Sequence, residues 1–119
     1  MRLARIVNRT RDTVLAEQAQ VADTFPTRLA GLIGRSELNP GTGLVLSGTN
    51  SIHMFFMSIA LDVVFLDKQG FVRHTMENLR PWQFSPIVRG ATTTLELPVG
   101  VIAATSTQVG DSIEILVGG

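Results

Sequence analysis

Cysteine is absent from the 119-residue chain, which excludes disulfides, thiolate metal sites and cysteine nucleophiles and leaves the redox compartment open. Lysine is nearly absent. The basic residues are nine Arg and one Lys, balanced by ten acidic residues to a formal net charge of zero. Nothing in that balance provides a chain-wide footprint for nucleic acid or an anionic membrane, so neither is expected as a partner. Long apolar runs are missing too: no stretch approaches the ~20 residues that span a bilayer. The opening MRLARIVNRT lacks an apolar core followed by a small-residue cleavage pattern, so a cytoplasmic location is the expectation. Also missing are a Walker loop, a paired-glycine dinucleotide fingerprint, GxSxG and HExxH. Gly41 and Gly43, and Gly118 and Gly119, lack the strand-then-helix setting of a phosphate cradle and read as turn residues. With only two histidines, His53 and His74, an imidazole site would need both plus Asp62, Glu77 or Glu96. No metal and no cofactor is therefore expected.

What is present is an ordinary globular composition, 45% hydrophobic and 17% charged, in a length that suits one domain over residues 1–119. Arg2, Arg5, Arg9 and Arg11 crowd the first eleven positions with no acidic residue before Asp12, a pattern that reads as a solvated strand face in a charge-balanced chain. RLARIV and TVLAEQAQVA, separated by the turn-forming NRTRD, predict a hairpin. In DTFPTRLAGLIGRSEL, a capping Asp23 or Thr24, Pro26 in the first turn, Leu29, Leu32 and Ile33 in a stripe and a terminating Gly34 predict a helix. LVLSGTN leads from a short strand into a turn. SIHMFFM, LDVVFLD and FVRHTME predict a meander, with KQG joining the last two. NLRPWQFSPIVRGA, with two prolines, predicts an irregular loop, and TTTLELP and DSIEILV two further strands joined by VGVIAATSTQVG. Short turn-punctuated strands with one short helix define the expected class: mainly β, a single-domain sandwich or barrel of seven or more strands. The expected core unites Leu29, Leu32, Phe55, Val64, Leu66, Leu95 and Ile113.

In order and spacing, FPTRLAGLIGRSEL, SIHMFFMSIALDVVFLDKQGFV, LRPWQ, LELPVG and VGDSIEI resemble the uncharacterised family known as domain of unknown function 192, over about residues 20 to 117. The resemblance implies a single mainly-β domain with a jelly-roll-like or barrel-like sheet and little helix. It implies no established activity.

The candidate site residues are His53, Asp62, Trp82, Arg80 and Glu96. His53 shares a strand face with Phe55 and Met57 and is either a hydrogen-bonded core or rim histidine or a ligand-contacting one. Asp62 opens a strand directly after IAL, where a carboxylate accepts backbone N–H groups and fixes a turn. The bend at SIA can return it to the same sheet end as His53, under the LRPWQ loop. Glu96 lies between Leu95 and Leu97 on the opposite strand face and looks toward solvent or a concave second face. Asp111 reads as a turn carboxylate. Trp82, between Arg80 and Arg89, either anchors its loop on the core or forms the rim of a pocket.

Three functions fit these residues. In order of support they are a binding module for a small polar or carbohydrate-like ligand, a structural or protein-interaction domain, and a hydrolase or lyase using Asp62 or Glu96 with His53. Convergence of His53, Asp62 and Glu96 on one cavity would favour the first and third; scatter would favour the second. The oligomeric state is not encoded in any of these features.

Overall fold

Alternation and turn chemistry agree best at the start of the chain, and there the first hairpin forms. The computed structural model describes residues 2–22, 38–48, 59–81, 83 and 85–118. Strand β1, Arg2–Asn8, pairs antiparallel with β2, Thr13–Ala22, across a turn in which Asp12 adopts φ +55°. The remaining strands are β3 (Thr42–Ser47), β4 (Leu61–Leu66), β5 (Val72–Leu79), β6 (Thr93–Leu97) and β7 (Ile113–Val117). They form one curled sheet in the order β5-β4-β6-β3-β2-β1-β7. Among the described residues only β2 and β3 pair in parallel, with Ala19 opposite Gly43. The described part of the expected meander, the β4–β5 hairpin, is present, and β6 enters between β3 and β4 and pairs with both. That insertion is a matter of long-range register, which local alternation does not encode. The predicted helix at Pro26 to Gly34 and the predicted strand SIHMFFM lie outside the described residues.

The sheet curls far enough for its two edges to meet at one end. Val72 N–H donates to Asp111 O at 2.9 Å, Gly110 N–H to Val72 O at 2.8 Å and Ile113 N–H to Gly70 O at 2.8 Å, joining the foot of β5 to the segment before β7. Gly70 sits at this seam with φ +90°, and a Cβ there would lie 2.6 Å from Ile113 O. No side chain fits.

Each face of the sheet has its own apolar cluster. The concave interior gathers Ile6, Val45, Val64, Leu66, Leu95, Leu97, Ile102 and Ile113 from β1, β3, β4, β6, β7 and a short helix. Val64, Leu66, Leu95 and Ile113 were expected together, and they are. Leu29, Leu32 and Phe55, expected with them, lie outside the described residues. The outer face carries Leu44, Leu46, Leu61, Val63, Phe65 and Leu79, packed with Val88 and Ala91 from the loop before β6. This explains the unbroken burial of LDVVFL: β4 is central and covered on both sides.

Among the described residues there is one helix, α1, Val101–Thr105, in the connection between β6 and β7. Five residues are too few for helical periodicity to emerge from sequence. Glycine frames its start: Gly100 is the N-cap at φ +102°, a conformation that other residues rarely adopt.

Candidate functional site

Asp62 is completely buried, at 0% exposure, and projects into the concave interior with its cross-strand neighbour Leu97. Opposite it β5 contains a bulge: Leu61 pairs with Leu79 and Val63 with Met76, leaving one residue extra, and Asn78 turns to φ +55°. Asp62 Oδ1 accepts the Asn78 N–H at 2.9 Å. Its Oδ2 accepts the N–H groups of Gly100 and Ile102, both at 3.0 Å. One carboxylate thus binds β4 to the bulge and to the start of α1, and its hydrogen-bonding capacity is directed at the backbone. This is the turn-fixing role that its place at the head of the strand predicted.

Glu96 is also buried, at 1% exposure, but on the other face. It pairs across the sheet with Val63 on one side and Leu44 on the other, both members of the outer cluster. The solvent-facing reading is overturned, because the outer face is covered by a second apolar layer. Glu96 takes part in a polar or electrostatic interaction of its own, as does Thr94 on the same face. The sheet lies between Asp62 and Glu96, so the two carboxylates cannot act together on one substrate. His53 and Trp82 lie outside the described residues. Arg80 is exposed beyond the end of β5, where its N–H donates to Gln83 Oε1 at 2.6 Å.

At the far end of α1 a second polar group is assembled. Asn8, fully buried, donates through Nδ2 to Asp111 Oδ2 at 3.0 Å and Thr107 Oγ1 at 3.2 Å. Thr105 and Thr107 hydroxyls are 2.7 Å apart, and Thr13 Oγ1 donates to Thr105 O at 3.1 Å. Asp111 Oδ2 also accepts from Gln108 N–H at 3.0 Å and Arg11 Nε at 3.2 Å. Burial alone would push the Asp111 carboxyl up, but the bonds from Asn8, Gln108 and Arg11 outweigh it and hold the group below its ordinary value. The turn role read for Asp111 is what the structure contains. Arg5 of β1 and Arg9 and Arg11 of the turn after it are similarly engaged: Arg5 with Glu17 at 3.0 Å, Arg9 with Glu114 at 2.8 Å and Arg11 with Asp111.

The described residues also form a cleft of about 650 Å³ between the β4–β5 hairpin, residues 86–89 of the proline-containing loop and Val109. Its polar side chains are Asp67, Arg73, His74 and Arg89; Phe71, Ile87 and Val109 are apolar and exposed. A second β-bulge shapes it. Leu66 pairs with Val72 and Phe65 with His74, so Arg73 is the extra residue, displaced from the ladder. Its guanidinium reaches across to the loop and lies against Gly90, where a Cβ would come within 3.3 Å of Nη2. His74 stacks obliquely on Phe65, their ring centroids 6.0 Å apart. Of the loop's two arginines it is Arg89, rather than Arg80, that lines this cleft. Arg73 escaped sequence reasoning because FVRHTME shows it as an ordinary outward position of a strand; the bulge that re-aims it has no local signature. Among the described residues, no group of three or more His, Asp or Glu could hold a metal ion, and no helix is long and apolar enough to cross a membrane.

Comparison with known proteins places this geometry in context. A family model for DUF192, described as "Uncharacterized ACR, COG1430", matches residues 6–115, extending the motif resemblance back through β2 to the end of β1. A UPF0127 protein of Thermococcus sibiricus is 35% identical over 113 residues, covering 92% of this chain and 73% of its own. A UPF0127 protein of Thermococcus gammatolerans is 35% identical over 112 residues, covering 91% and 72%. A crystal structure of a protein of unknown function from Novosphingobium aromaticivorans superposes with a TM-score of 0.77 at 21% identity, covering 94% of this chain and 83% of the other, which establishes the shared fold.

Proposed function

The chain belongs to the uncharacterised DUF192 family, a membership that carries a fold and no activity, and from that premise we propose that it is a binding module for a small polar ligand, held between β5 and the 86–90 loop. The observation that carries this reading is the cleft itself. Its volume, about 650 Å³, falls among the ~300–1,000 Å³ of small-molecule sites, and it combines apolar walls with a few polar side chains. The loop that forms one wall is the proline-containing segment for which Trp82, beside Arg80 and Arg89, suggested either a core anchor or a pocket rim. The separation of Asp62 from Glu96, and the three backbone donors on Asp62, favour a structural role for those two carboxylates; the cleft, away from both, is what favours a ligand.

The test is amide chemical-shift mapping on the ¹⁵N-labelled chain with five polar aromatics: phenyl glucoside, benzyl alcohol, benzylamine, benzoate and phenyl phosphate. Saturable shifts confined to residues 71–74, 87–90 and 109 are expected with at least one of them. If none moves those amides at millimolar concentration, the ligand-binding reading falls and a structural or interaction role takes its place.

A further inference from the structure

We infer that the cleft takes a small organic anion, a carboxylate or phosphate head on an apolar body, with Arg73 and Arg89 on the head and Phe71, Ile87 and Val109 on the body. This rests on the cleft being the ligand site and names the chemistry of what enters it. Arg5, Arg9 and Arg11 each have a carboxylate within 3.2 Å, yet among the described residues Arg73 and Arg89 form no ion pair. They line one cleft together. Asp67, the acidic residue in the lining, is not their counter-ion: its Oδ1 accepts Gln69 N–H at 3.0 Å and Phe71 N–H at 2.9 Å and holds the hairpin turn. Neither guanidinium is paired with the one carboxylate in the lining, and an anion between them would accept charge-assisted hydrogen bonds from both.

Placement of Arg73 requires two local departures from a regular structure. The bulge at Arg73 displaces it from the β4–β5 ladder, and Gly90, at φ +79°, leaves the space against which its guanidinium lies. A solvated arginine on an edge strand needs neither. The apolar half is equally specific. Phe71 is 46% exposed, Val109 63% and Ile87 72%, so three of the large exposed hydrophobic residues of the described chain border the same cleft as the two arginines. A bare inorganic anion would leave them in water; an anion attached to a ring or a short alkyl chain would cover them.

The experiment compares probes that differ in charge at nearly constant shape. Dissociation constants for phenyl phosphate, benzoate, benzyl alcohol, phenyl glucoside, benzylamine and inorganic phosphate are measured by amide shifts of residues 71–74 and 87–90. The expected result is that at least one of phenyl phosphate and benzoate binds about tenfold or more tightly than benzyl alcohol and benzylamine, and more tightly than inorganic phosphate. Arg73→Gln and Arg89→Gln, at exposed positions, should each remove most of that advantage while leaving benzyl alcohol binding and the thermal midpoint unchanged. Preference for phosphate over carboxylate, or the reverse, assigns the head group. If benzyl alcohol or phenyl glucoside binds as well as the anions, or the arginine variants keep the advantage, the anion assignment is wrong while the cleft remains a ligand site. If no probe moves the cleft amides, both fall.

Discussion

Asp62 and Arg73 stand on neighbouring strands, each beside a β-bulge of β5, and the sheet treats them in opposite ways. At Asp62 the bulge turns a backbone N–H inward, and the carboxylate joins it to two more from the start of α1 inside the concave core. At Arg73 the bulge turns a side chain outward to a cleft where no carboxylate of the described chain meets it. The same backbone irregularity therefore serves the fold at one end of β5 and exposes an unneutralised charge at the other. The difference teaches that a buried charge with a full set of backbone partners marks structure, while an accessible charge held in place without a counter-ion marks a place for something else.

The sharpest way to break this contrast is Asp62→Ala. Removing an acceptor from three buried N–H groups should destabilise the protein by ~3–5 kcal/mol in denaturant unfolding. A loss under ~1 kcal/mol would mean those donors find other partners and that Asp62 is not the tie between β4, β5 and α1. Next is the seam itself. Gly70→Ala places a Cβ against Ile113 O in a positive-φ conformation and should cost ~2–4 kcal/mol, checked by thermal unfolding together with the amide exchange rates of Gly110 and Ile113. Unchanged exchange would show that the β5 and β7 edges do not depend on that close approach.

Asp111→Asn is expected to cost ~1–3 kcal/mol at neutral pH, because the amide cannot accept from Asn8, Gln108 and Arg11 as a carboxylate does. The sign of its pH dependence follows from the depressed carboxyl. Its stabilisation is complete above the unfolded-state value of ~3.9 and disappears as pH falls through the lower folded-state value. The stability gap between parent and variant should therefore narrow in acid; a gap constant from neutral pH down to about 2 would remove the charge from the account. At the other end of the scale, Arg73→Gln should change stability by no more than ~0.5 kcal/mol, since its role is directed outward. A larger loss would place Arg73 with Asp62 as part of the fold and erase the contrast between them.

Much of this architecture is legible in the sequence. Alternation in RLARIV, the aliphatic run of LDVVFL and the turn residues DKQG located strands and a hairpin because those signals are local. The placement of β6 between β3 and β4 was not readable, since it depends on pairings between segments far apart in sequence. Glu96 illustrates the limit. Its strand position was correct and its face was correct relative to Leu95 and Leu97, but whether that face met water depended on what covers the sheet. Asp62 was legible as a turn carboxylate, though its partners, as many as 40 residues away, were not. The arginine pair was half legible: Arg89 belonged to a loop flagged by composition, whereas Arg73 becomes distinctive only through an unpaired residue in a ladder.

The pairing of β1 with β7 sets an order of events for the nascent chain. Ala4 stands opposite Val117 and Asn8 opposite Ile113, so β1 waits for a strand more than a hundred residues later. Until residues 113–117 leave the ribosome, the β1–β2 hairpin presents an unpaired edge with Ala4, Ile6 and Val7 lacking part of their cover. Such an interval favours intermolecular strand addition, and the many contacts between distant segments predict slow closure once β7 has emerged. The arginines at positions 5, 9 and 11 fall on or just beyond that waiting edge, where their like charge opposes the approach of a second nascent hairpin. In the finished sheet the same side chains form ion pairs.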